Sequence, residues 1–229
     1  MRRRRNLLRS KSDHTAREAV HLLKDSGFTE NKLKNTILRN PSILTLRVDS
    51  QLKPKMEFLK KLGLTTPDIV LIIFRRPRLL TMSLENCLVP RIVHLETLFG
   101  SEVHLCKALR RAPLLLDCDF KKQVIPRVEY LKNNIGILKD SVGFARALNA
   151  VLNHSFETLE KKTKHMASLG LAEEDISQII KRQPGALRHS TQKMKENIDF
   201  LIRTTGLEPK IVASNAVILS FSVEKQTPL

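Results

Sequence analysis

Arginine recurs at one place in this chain, two residues before a proline, as Arg39, Arg75, Arg111 and Arg182, with Arg76, Arg110 and Lys181 beside three of them. A second set of cations, Lys55, Arg91 and Arg127, directly follows a second series of prolines. Guanidinium and ammonium groups repeated at a regular interval suit contact with a row of phosphates. A structural reading competes at each position. A cation in the last turn of a helix is favoured by the dipole alone, and one near a helix start can be a solvated face. The formal charge of +17 favours phosphate, and the six cations in residues 1–11 still leave +11 to the rest.

Catalytic chemistry has no comparable support. His104 and Cys106, with Asp117, Cys118 and Asp119 nearby, come closest to a metal or nucleophile cluster, but their spacing matches no zinc motif. GxGxxG, Walker, HExxH and GxSxG patterns are absent, and Gly185 beside Pro184 reads as part of a turn. His94, His154, His165 and His189 read as surface or boundary residues. No enzyme activity, metal or cofactor is therefore expected. Cys87, Cys106 and Cys118 are odd in number and lack a CxxC pair, which suits a reducing compartment rather than a disulfide framework. No apolar run reaches the roughly 18 residues of a membrane span. Residues 1–12 are Arg-rich and free of acid, resembling part of an organellar transit peptide.

The elements that must position these cations follow from glycine and proline. Six of the eight glycines, Gly27, Gly63, Gly100, Gly136, Gly170 and Gly206, are separated by 36, 37, 36, 34 and 36 residues. Pro41 and Pro54, Pro77 and Pro90, and Pro113 and Pro126 stand thirteen apart within successive rungs, and Pro184 stands alone. A fixed period of this size predicts an all-α solenoid of about six short repeats, each burying its apolar face against its neighbours. Residues 13–229 read as one array without a linker, preceded by the basic segment 1–12.

Within the second repeat, Thr66 is expected to cap a helix with Pro67 at its first position and Asp68 in its first turn. Ile69, Ile72 and Ile73 form its apolar stripe, and Pro77 ends it. Leu79 and Leu80 make a short apolar linker. Ser83 caps a second stretch, with Pro90 at a kink or at the first turn of a third helix that runs to Gly100. Other repeats keep the pattern, with Leu33, Ile37 and Leu38 before Pro41, and Leu105 and Leu109 before Pro113. The fourth repeat has no proline between Gly136 and Gly170, so its first helix is expected to run on through Asn149 and Ala150. The sixth stops at Leu229, before a last helix.

This grammar resembles the mitochondrial transcription termination factor (mTERF) family. The likeness rests on the string Gly63-Leu64-Thr65 through Arg76-Pro77-Arg78-Leu79-Leu80, on Leu88-Val89-Pro90-Arg91-Ile92, on the echo Pro54 through Leu64, and on Ile218-Leu219-Ser220 with Glu224-Lys225. The resemblance implies a superhelical array of short repeats and nucleic-acid binding in mitochondria or chloroplasts, in transcription termination, transcript processing or intron splicing. The partner expected is duplex DNA rather than RNA, since one Tyr and no Trp supply few stacking platforms for single strands. A monomer that blocks or modulates transcription is the leading reading. RNA binding in organellar splicing or maturation, beside that machinery, and a protein-binding helical scaffold are the alternatives.

Overall fold

The first three repeats each open with a helix whose N-cap side chain accepts a backbone N–H. In the second, the Thr65 hydroxyl accepts the Asp68 N–H at 3.4 Å while the Asp68 carboxylate accepts the Thr65 N–H at 3.0 Å, a reciprocal capping box. The cap is thus Thr65, one residue earlier than the sequence suggested, and Pro67 takes the second helical position. Thr29, Ser101, Ser155 and Ser190 cap other helices by one half of that arrangement, each side-chain oxygen accepting the backbone N–H three residues on. The first helix then ends at a proline, whose missing N–H and ring exclude a further α turn.

A computed structural model describes residues 2–220, with side chains described for 13–219. The side chains of Arg2, Arg3, Arg4, Arg5, Arg9 and Lys11, and residues Glu224 and Lys225, lie outside the described residues. The fold is all-α, and among the described residues there is no strand. The chain divides into two compact units, Met1–Phe120 and Lys121–Leu229. The first contains α1 (Arg2–Asp25), α2 (Glu30–Arg39), α3 (Lys53–Lys61), α4 (Thr66–Arg75), α5 (Val89–Phe99) and α6 (Glu102–Arg111). The second contains α7 (Ile125–Tyr130), α8 (Phe144–Leu152), α9 (Phe156–Ser168), α10 (Glu173–Arg182), α11 (Thr191–Asp199) and α12 (Pro209–Ser214). The boundary drawn at residues 12 and 13 falls inside α1.

The segment after the first proline is a 3-10 turn rather than a plain linker, at Pro41–Thr45, Pro77–Thr81, Pro113–Leu116 and Pro184–Arg188. Its leucines are the centre of the core, for Leu79, Leu80, Leu115, Leu116 and Leu187 are fully buried. A one-turn π segment follows at Val48–Leu52, Leu84–Leu88 and Phe120–Val124, and each leads into the next α-helix with proline at its second position. Pro90 therefore lies inside the first turn of α5, not at a kink. In the first unit α2 packs against α4 and α4 against α6, whereas in the second α10 packs against α12. The apolar stripes are narrower than the composition suggests, since Leu38 is 67% and Val93 54% exposed.

The fourth repeat departs from expectation. Its first helix, α8, stops at Leu152 without a proline, and Ser155 starts α9 by accepting the Thr158 N–H at 3.1 Å. The capping serine and the carbonyl contacts described below do what proline does elsewhere. With no second proline either, α9 runs for 13 residues.

All six ladder glycines have positive φ. At Gly100 φ is +73°, and a Cβ there would meet nothing within 4 Å, so only backbone strain opposes a side chain. Gly100→Ala should accordingly cost about 1–2 kcal/mol with the fold kept, read as a lower urea midpoint at unchanged slope.

Candidate nucleic-acid interface

The two sets of cations turn out to differ in what they touch. Lys55 is buried at 5% exposure, and its Nζ donates to the Leu80 carbonyl at 2.6 Å. Arg91 Nη1 donates to the Leu116 carbonyl at 2.6 Å. Arg127 donates through Nε to Val151 O at 3.1 Å and through Nη2 to His154 O at 2.7 Å. Each of these acceptors lies in the next repeat. Leu80 and Leu116 belong to its 3-10 turn, and Val151 and His154 to the end of α8 that replaces that turn in the fourth repeat. The last carbonyls of a helical turn have no partner of their own, and burial without one costs free energy. The expected second stripe is therefore not a surface stripe. Lys55, Arg91 and Arg127 turn inward and fasten one repeat to the next.

The structure adds members that sequence reasoning missed. Lys162, 7% exposed, donates to the His189 carbonyl, and Asn197, 1% exposed, donates to the Leu219 carbonyl at 2.8 Å. A signal existed, for Lys162 stands eight residues before Gly170 just as Lys55 stands eight before Gly63. Arg91, Arg127 and Asn197 stand nine before theirs, so counting back eight or nine residues from glycine finds the position even where the proline is lost. Burial pushes the Lys55 and Lys162 amines below the usual lysine range.

The first set stays at the surface. Arg39, Arg75, Arg111 and Arg182 are exposed, and Arg76, Arg110 and Lys181 are half-buried. Arg39 donates through Nη1 to Phe74 O at 2.8 Å and through Nη2 to Arg75 O at 3.1 Å, closing over the end of α4. Arg75 Nη1 approaches Arg110 O at 3.5 Å at the end of α6. A guanidinium has five N–H donors, so Arg39 keeps three for another partner. Arg39 and Arg75 are thus each held beside the backbone from which the next arginine projects. Arg110 is committed elsewhere, its Nε lying 3.0 Å from the Asp68 carboxylate. Burial raises the Asp68 pKa, but the Thr65 hydrogen bonds and the Arg110 charge outweigh it and hold the carboxyl below its usual range.

The cysteine and histidine candidates have structural neighbours. Cys106 is buried, its thiol donates to the Leu62 carbonyl at 2.6 Å, and burial pushes its pKa up. Among the described residues no group of three or more His, Cys, Asp or Glu is placed to hold a metal ion. No helix among them is long and apolar enough to cross a membrane. The family model described as mTERF matches residues 1–106 and 91–228. No curated protein matches the chain.

Removing an inward cation should act on stability rather than on binding. Lys55→Ala and Arg91→Ala are each expected to cost about 1–3 kcal/mol in urea unfolding, through the unpaired carbonyl left behind. Neither should change the salt dependence of nucleic-acid binding. A pH effect follows from His154 and His189, whose pKa values burial holds below the ordinary value. Lys162 lowers both, Arg188 and Lys193 also lower His189, and a backbone hydrogen bond at Leu187 opposes the shift at His154. A folded-state pKa below the unfolded one means that the unfolded chain binds more protons. Stability should therefore fall as pH drops below about 6.5, and a His154→Gln/His189→Gln double variant should flatten that fall in thermal melts.

Proposed function

The chain belongs to the mTERF family, whose helical-repeat members bind nucleic acid and serve transcription, and from that premise we propose that it binds double-stranded DNA in an organelle and regulates or terminates transcription there. The observation that carries the reading is the exposed arginine that recurs at one repeat position, three times in the first unit and once in the second. Arg39 and Arg75 are fixed by neighbouring carbonyls yet retain donors, and Arg111 and Arg182 hold the same repeat position. A guanidinium whose rotamer is already restrained loses less entropy when it meets a phosphate. Arg76 and Lys181 adjoin Arg75 and Arg182 in sequence and add charge beside each.

Duplex rather than single-stranded nucleic acid is supported by the scarcity of aromatic platforms, with one Tyr and no Trp in the chain. The part given to base reading is small in this proposal, because arginine contacts to phosphate position a protein without reading sequence. An organelle is supported by the Arg-rich, acid-free residues 1–12, which resemble part of a transit peptide, and by the family's generally organellar members.

Neutralising the recurring arginines while keeping hydrogen-bonding capacity tests the assignment. In the quadruple variant Arg39→Gln, Arg75→Gln, Arg111→Gln, Arg182→Gln, the slope of log affinity against log salt for a duplex should fall in magnitude by roughly 3–4, about 0.9 for each lost phosphate contact. Fluorescence anisotropy across a salt series measures it, and an unchanged slope removes these four residues from the interface. Preference for structured RNA over a duplex of equal length in direct competition would overturn the choice of DNA.

A further inference from the structure

In the second unit, α7 with the π turn that follows it, α9 and α10 enclose an open cleft of about 450 Å³. The charged residues lining it are Glu160 and Glu173, in a chain whose formal charge is +17. Its aromatic wall is Phe156, 42% exposed, with Tyr130 set edge-on at 5.9 Å between ring centroids. The Phe156 ring already bears a cation, for the Arg127 guanidinium lies 4.8 Å from its centroid. Glu160 meets Lys164 at 2.7 Å in an exposed pair, which water and salt weaken. Glu173 makes no hydrogen bond or ion pair with any described residue. The cleft lies where the fourth repeat has lost both prolines, and α9 begins directly at Phe156.

Exposed aromatic faces beside carboxylates attract ammonium and guanidinium groups, whereas the same carboxylates repel phosphate. We propose that this cleft receives a lysine or arginine side chain from a protein partner. The cation lies against Phe156 and Tyr130 and pairs with Glu173 and Glu160, and the polar Asn134 and Thr163 line the same space.

Tyr130 makes the proposal measurable, because it is the only tyrosine in a chain without tryptophan and its emission reports on the cleft alone. The probe is the capped peptide Gly-Arg-Gly-Lys-Gly, titrated at low salt into the full chain, with Gly-Glu-Gly-Glu-Gly and a short DNA duplex as comparisons. The basic peptide should change the emission saturably, and the acidic peptide and the duplex should not. Glu160→Gln/Glu173→Gln and Phe156→Leu should each weaken the effect about fivefold or more, with helical circular dichroism unchanged. No saturable change with the basic peptide, an equal change with the acidic one, or displacement of the basic peptide by the duplex would each overturn the assignment. So would variants that keep their helicity and respond like the unaltered chain.

Discussion

From the second repeat to the sixth, main-chain carbonyls at or near the end of the 3-10 turn, or of the helix end that replaces it, accept a hydrogen bond from a side chain of the preceding repeat. Lys55, Arg91, Arg127, Lys162 and Asn197 supply that bond with three different side-chain chemistries. The rest of the packing depends on it. Leucines such as Leu79, Leu80 and Leu116 can be fully buried only if the polar backbone between them is paired. Charge is retained at these sites for reach and for the strength of a charge-assisted bond, while the long aliphatic stems fill space between repeats.

That constraint sorts the cations of a strongly basic chain into two populations. One is spent on internal carbonyls, and the other is only partly spent, as in Arg39, whose two bonds to the end of α4 leave other N–H groups outward. A guanidinium suits the second task better than an ammonium, since a planar fork can hold the backbone with one side and meet a ligand with the other. Both populations arise from the same period of the sequence. Both contact the following repeat, and burial tells them apart: Lys55 is buried and Arg91 and Arg127 half-buried, whereas Arg39 and Arg75 are exposed.

Much of the fold was legible in the chain itself. The glycine ladder located the left-handed helix ends, and the prolines located the starts and stops of α4, α5 and α6, because each residue type enforces its conformation without help from neighbours. Thr65 was missed as a cap because two threonines adjoin and only the geometry of Asp68 chooses between them. The stop after α8 was missed because it depends on Ser155 and on Arg127 bonding from an earlier repeat, neither of which proline spacing reveals. The candidate site was half legible. Periodicity gave the positions of the basic residues, but the direction in which Lys55, Arg91 and Arg127 point is set by carbonyls some 25 residues ahead, and no local pattern encodes that.

The cation clamps share a direction, since donors at 55, 91, 127 and 162 all bond to acceptors later in the chain. During synthesis the donor therefore leaves the ribosome first and waits, still hydrated, for a carbonyl that follows within a few dozen residues. Assembly becomes vectorial, each nascent repeat docking on one already made, and a stalled ribosome leaves a waiting ammonium or guanidinium in water rather than a dry, orphaned backbone oxygen.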